Sequence, residues 1–344
     1  MNLKKTLLIA LILGLIAIIS WETYWRSQGY YPNLDDNKEL WAVQRAKVNQ
    51  LTDADVILTG SSRVLFDIQL NEWEAETGIR PLQLASAGAS PLPIFHDIVE
   101  NTDYTGTIIV GVTPGLFFST TYPLALPWDW PQTRVNHFHN RTYAQRLNHQ
   151  ISLPLQKSLV FLSANEMDWT DNIDLKSLLK TINIGDRVMD PMPPFYNFFD
   201  TFEDRNTTMT ARTVNDTAFA NTIKKVWGYY GSTSPPPDKE ATMAFFVKDA
   251  KKFIAKGGHL ILLRCPSSGG DRIGENHGLP RADYWDDLLK QTNVKGYHFE
   301  DYKQFQNFEC PEWSHLSAED ARFFSTELAK IMIKDNVINI TKTN

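Results

Sequence analysis

Hydrophobic positions fall along this chain in three kinds of run. The first is unbroken: residues 7–19 are apolar, preceded by Lys4 and Lys5 and closed by Trp21, Trp25 and Arg26. The second kind is short and continuous. Residues 55–59, 81–84, 107–112, 259–264 and 296–300 read as strands buried on both faces. The third has helical spacing and alternates with the second. It covers 38–50, with Leu40, Val43 and Val48 inward and Asp36 as cap, then 69–77, 93–101, 239–256, 284–292 and 318–334. Alternating β and α elements predict a doubly wound α/β domain around a parallel sheet of about five strands. In such sheets ligands bind beyond the carboxyl ends of the strands.

The alternation breaks between Thr113 and Asp238, too long a stretch for a simple crossover. It begins with Phe117, Phe118, Tyr122, Pro127, Trp128, Trp130 and Pro131. Helical spacing returns at 142–164, where Pro154 should kink or split the helix, and at 216–229. Ser234-Pro235-Pro236-Pro237 marks its end. The division is therefore an N-terminal anchor or signal segment, 1–26, and an α/β body, 27–344, with an insertion at about 115–238. The insertion is expected to build one wall of a site. Extra packing against the core is the alternative for most of its aromatics.

The apolar run at 7–19 is shorter than the 17–25 residues of a typical span. The cleavage candidate Ile18-x-Ser20 is followed by bulky Trp21, which favours an uncleaved anchor over a signal peptide. Lys4 and Lys5 would stay in the cytoplasm and send the body outward, to the periplasmic side of an inner or plasma membrane. The alternative is a protein secreted after cleavage. The formal net charge of -6 and the absence of a basic stripe exclude nucleic acid as an expected partner. Two cysteines, Cys265 and Cys310, lie in the exported body and could pair there. His137-x-His139 has no third ligand, so no metal and no cofactor is assigned.

Two short motifs carry the candidate chemistry. Gly60-Ser61-Ser62-Arg63 follows the first strand, and Glu312-Trp313-Ser314-His315-Leu316 precedes the last helix. They supply a nucleophile, a base and a residue to orient the base. Between them, Gly88 follows the second strand and Thr113-Pro114-Gly115 the third. One parallel sheet would carry all four blocks to one edge.

This layout resembles the SGNH, or GDSL-type, hydrolases. Gly60-Ser61-Ser62 matches the family's serine block and Gly88 its glycine block. Glu312-Trp313-Ser314-His315 matches its Asp-x-x-His block with Glu for Asp. The resemblance covers about residues 53–115 and 240–335, and implies a flavodoxin-like sheet. It assigns Ser62 as nucleophile (Ser61 is the competitor), His315 as base and Glu312 as its orienting carboxylate. The N–H groups of Ser62 and Gly88 would face the oxyanion. One departure is marked: Val112-Thr113 stands where the family has asparagine, leaving the Thr113 hydroxyl as the third donor. Losing one such donor costs about 2.7–4 kcal/mol.

With an outward-facing anchor, the resemblance is to anchored envelope and exopolysaccharide proteins. It implies an esterase or O-acyltransferase acting on an acylated glycan or its acyl donor, with a membrane-bound O-acyltransferase as expected partner. Two alternatives stand beside it. One is a lipid esterase with Phe117, Phe118 and Leu124 lining an acyl slot. The other is a non-catalytic scaffold that binds glycan or a membrane partner.

Overall fold

The computed structural model describes residues 3–119, 125–162 and 192–338. Strands in these regions are β1 (Val56–Thr59), β2 (Leu82–Gln83), β3 (Thr107–Gly111), β4 (Phe199–Thr201), β5 (Thr207–Met209), β6 (His259–Arg264) and β7 (Lys295–His298). Five of them form one parallel sheet in the order β2-β1-β3-β6-β7. β4 and β5 form a separate antiparallel pair.

Successive strand residues point to opposite faces. Val56, Leu58, Ile109, Ile261 and Leu263 enter one apolar cluster, and Ile57, Ile108, Val110, Leu260 and Leu262 the other. Helices Leu70–Thr77, Thr217–Thr233 and Ala318–Lys334 cover the first face, through residues such as Trp73, Ile223 and Phe324. Helices Lys38–Lys47, Leu92–Asn101, Lys239–Ala255 and Arg281–Thr292 cover the second. Cover on both faces is why the strands read as unbroken apolar runs. The chain is thus a mixed α/β protein with a five-stranded parallel sheet flanked by helices.

Local chemistry shifts several expected boundaries. Asn37, not Asp36, caps helix Lys38–Lys47, accepting from the Glu39 and Leu40 N–H groups at 3.0 Å each. Asp36 is instead a buried ion-pair partner of Arg205, at 2.6 and 2.8 Å. The strand expected at 296–300 ends at His298, whose Nδ1 accepts from the Glu300 N–H and closes a 3-10 turn over Phe299–Asp301. Pro154 does not split its helix, Tyr143–Gln156, because it falls within the last turn. A 3-10 turn, Val160–Leu162, follows, and 163–164 lie outside the described residues.

The start of the insertion is partly core. Phe117 and Phe118 are fully buried, packed against Phe246 and Tyr284 at 5.1 and 4.9 Å between ring centroids. Tyr122 and Leu124 lie outside the described residues. Trp128, Trp130 and Pro131 belong to a helix, Leu126–Asn140, that their proline content concealed.

Candidate active site

The serine turn is shaped by close packing under it. A Cβ on Gly60 would meet Val64 Cγ2 at 2.7 Å, and one on Gly111 would meet the same atom at 2.1 Å. Without side chains there, the ends of β1 and β3 let helix Ser62–Asp67 start directly above them. Ser61 caps this helix by accepting the Arg63 N–H, and its hydroxyl is 2.6 Å from the Thr113 hydroxyl. Ser61 is wholly buried and committed to these bonds. Ser62, the first helical residue, is partly exposed. Its hydroxyl and N–H have no partner among the described residues.

The histidine block is held from several directions. Glu312 Oε1 accepts from the His315 N–H at 2.6 Å and lies 3.0 Å from His315 Nδ1. Glu312 Oε2 accepts from the indole N–H of Trp227, in insertion helix Thr217–Thr233. Burial alone would raise the Glu312 pKa, but His315 and the Trp227 and His315 donors outweigh it and hold the carboxyl below its ordinary range. An ionised carboxylate only accepts, so His315 Nδ1 carries a proton, and Nε2 is the ring nitrogen the carboxylate does not hold. Nε2 is buried with no partner among the described residues. Phe66, from the serine helix, stacks on the imidazole with centroids 4.4 Å apart. Trp313 between the pair holds φ at +82, a conformation that typically costs about 1–3 kcal/mol outside glycine. Its N–H donates to Cys310 O and its carbonyl accepts from Ser268 N–H, which fixes the turn.

The two motifs meet through Arg63. Its guanidinium donates to the Ser314 hydroxyl at 3.2 Å, joining the neighbour of Ser62 to the neighbour of His315. It also pairs with Glu275 at 2.7 Å and Asp271 at 3.5 Å, so it serves local carboxylates. Its burial opposes the charged form, yet these acids keep its pKa raised. Asp67, at the end of the same helix, accepts the Leu316 N–H at 3.0 Å.

The remaining blocks reach the same edge. Ser86 N–H donates to Gly60 O at 3.0 Å, which ties the segment after β2 to the serine turn. Two residues on, Gly88 has φ of +62, the left-handed region that glycine enters without strain. Its N–H has no partner among the described residues. Arg205, in the β4–β5 turn, clasps this segment from outside by donating to Gln83 O at 3.1 Å and Ala85 O at 2.8 Å. Thr113 arrives as the Ser61 partner, so its hydroxyl is already engaged. Cys265 and Cys310 pack in one apolar cluster as free thiols, both pushed up by burial. Small apolar packing accounts for both.

Sequence reasoning did not find Trp227, Phe66, Asp67 or Arg205. Only Arg205, among several charged residues of the insertion, carried even a weak signal. Elsewhere, His137 pairs with Glu39 and His139 with Asp97, which separates the His-x-His pair. His96, Glu100 and Asp249 bring ligand-type atoms within 4.8 Å of one another. That cluster is engaged internally, His96 Nδ1 lying 2.9 Å from an Asp249 carboxylate oxygen and Glu100 pairing with Lys252. Comparison with models of known protein families gives no match, and no curated protein matches the chain.

Proposed function

We propose that this chain is an extracytoplasmic serine acyl hydrolase or O-acyltransferase of the SGNH type. Its substrate would be an acyl ester on a surface or exported glycan, or the acyl donor for one. The observation that carries the reading is the Glu312–His315 pair, with Nε2 buried and without a partner among the described residues, on a turn joined to the serine turn through Arg63 and Ser314. A histidine kept only for packing has no need of a buried carboxylate on one nitrogen and nothing on the other.

In this reading the Ser62 hydroxyl oxygen attacks the acyl carbonyl carbon while its proton passes to His315 Nε2. Glu312 stabilises the imidazolium. The Ser62 and Gly88 N–H groups receive the charge on the carbonyl oxygen. Collapse expels the alcohol, which takes the proton from His315, and leaves acyl-Ser62. Water or a sugar hydroxyl then gives its proton to His315 and bonds to the acyl carbon, and His315 returns that proton to the Ser62 oxygen as the acyl–Ser62 bond breaks. Water makes the protein an esterase and a sugar hydroxyl makes it a transferase.

Fluorophosphonate labelling of the full chain tests this. Wild type is expected to label at Ser62, and Ser62→Ala and His315→Ala to lose the label while keeping a wild-type circular dichroism spectrum. Labelling that persists in folded Ser62→Ala would reject the nucleophile. An unlabelled, correctly folded wild type would favour the second reading, a scaffold that binds glycan or a membrane partner. The engaged Thr113 hydroxyl is the observation on that side.

A further inference from the structure

Among the described residues, helix Tyr143–Gln156 is little used in packing. It runs 14 residues, is well started by a Thr142–Gln145 capping box, and His149 is its one buried residue among those described. Isolated helices of this length are marginal in water, so a packing partner is called for. Its large apolar residues instead face out. Tyr143, Leu147, Ile151 and Leu155 recur every four residues and are between 41% and 71% exposed. That spacing stacks them on one face. Leu162, in the following 3-10 turn, is 41% exposed.

The depth of this stripe relative to the N-terminal helix is fixed by a latch. Helix Leu3–Ser27 is long and apolar enough to cross a membrane, and its aliphatic residues are exposed. Near its end Trp21, Tyr24, Trp25 and Tyr30 cluster, with ring centroids 5.2 to 5.9 Å apart. Such aromatics settle at the headgroup level of a bilayer. On the same turns, Glu22 accepts the Val160 N–H at 3.0 Å and the Phe161 N–H at 3.3 Å. Arg26 donates to Ser158 O at 2.9 Å. The latch therefore holds 158–162 level with the aromatic cluster, and the stripe helix leads directly into that segment.

We propose that helix Tyr143–Gln156 is an interfacial helix that lays Tyr143, Leu147, Ile151 and Leu155 into the surface of the bilayer that holds helix Leu3–Ser27. The occupant is lipid. An amphipathic helix of this kind lies in the plane of the interface with its apolar side sunk to the acyl boundary. The body is then held at two places, by the anchor and by this helix, which fixes its tilt over the membrane. The inference rests on the anchor belonging to the function proposed above.

The test uses the full chain in phosphatidylethanolamine–phosphatidylglycerol vesicles. An environment-sensitive fluorophore is attached at Leu147→Cys, Ile151→Cys or, away from the apolar stripe, Arg146→Cys, which is exposed, with wild type as the blank for the buried native thiols. The expected result is blue-shifted emission at 147 and 151, quenched by nitroxide-bearing lipids, and an aqueous spectrum at 146. Aqueous emission at 147 and 151 in protein that floats with the vesicles overturns the inference alone. A blue shift without lipid quenching also overturns it, because protein would then cover the stripe. Failure to float removes the anchor, and the inference with it.

Discussion

Asp67 and Glu312 are two buried carboxyls pushed in opposite directions. Asp67 has one oxygen on the Leu316 N–H and the other, Oδ2, with no partner among the described residues. Burial raises its pKa well above the usual carboxylate range, and Leu316 and Arg63 offset this only in part. Glu312 is held low by His315 and Trp227 despite its burial. The signs for stability differ accordingly. A raised acid binds its proton more tightly when folded, so Asp67 subtracts stability as pH climbs from the ordinary carboxylate range to its own folded value. A lowered acid adds stability above the ordinary range, which is lost as pH falls through the folded value. Asp67→Asn keeps an acceptor for Leu316 and cannot ionise. It should flatten the decline of stability above the ordinary carboxylate range, read from urea midpoints across pH. Asp67→Ala leaves the Leu316 N–H unpaired and should cost about 1–3 kcal/mol at any pH. Equal pH slopes in wild type and Asp67→Asn would remove the raised pKa. Ser62, Gly88, His315 and Glu312 could be named from sequence because each lies in a short motif with its own spacing. Asp67 and Trp227 could not, since they act across 249 and 85 residues and neither has a local pattern.

The elements that position the site depend on one crowded crossing. Val64 fills the space above Gly60 and Gly111, so helix Ser62–Asp67 sits as low as the glycines allow. Gly111→Ala puts a methyl where Val64 Cγ2 lies at 2.1 Å, and must lift the helix or spread the strands. Overpacking of this kind costs about 1–3 kcal/mol. Adding Val64→Ala should recover part of it, because the residues share one space and their effects cannot add. Urea denaturation of both singles and the double checks the coupling, and additive losses would mean the clash is relieved elsewhere. The parallel strands were legible because cover on two faces leaves unbroken apolar runs. Hairpin β4–β5 was not, since each strand is three residues long with a middle residue only half buried. Helix Leu126–Asn140 was hidden by Pro127, which sits in the first turn where proline is compatible, and by Pro131, which lies inside the helix.

For the whole molecule, the question is how the N-terminal helix holds the body, which is proposed above to lie outside the membrane. The apolar run 7–19 suggested a segment short of a full span, but the helix extends over Leu3–Ser27. Its 25 residues reach about 37 Å at 1.5 Å per residue, against about 30 Å of hydrocarbon. The surplus falls where Lys4 and Lys5 lie at one end and Trp21, Tyr24 and Trp25 at the other, residues suited to the two interfaces. The latch from Glu22 and Arg26 to 158–162 gives a second reason to keep the helix, since its last turns belong to the body's packing. Detergent-extracted protein should therefore give an intact mass that includes the first 20 residues. Protease added outside spheroplasts should digest the body. Lys4→Glu with Lys5→Glu weakens the charge bias and should leave a fraction of the chain protected from that protease. A mature mass beginning near Trp21 would replace the anchor with a cleaved signal peptide. Because Glu22 and Arg26 would remain on such a product, the latch could persist without a membrane span, so the mass and the protease pattern have to be read together.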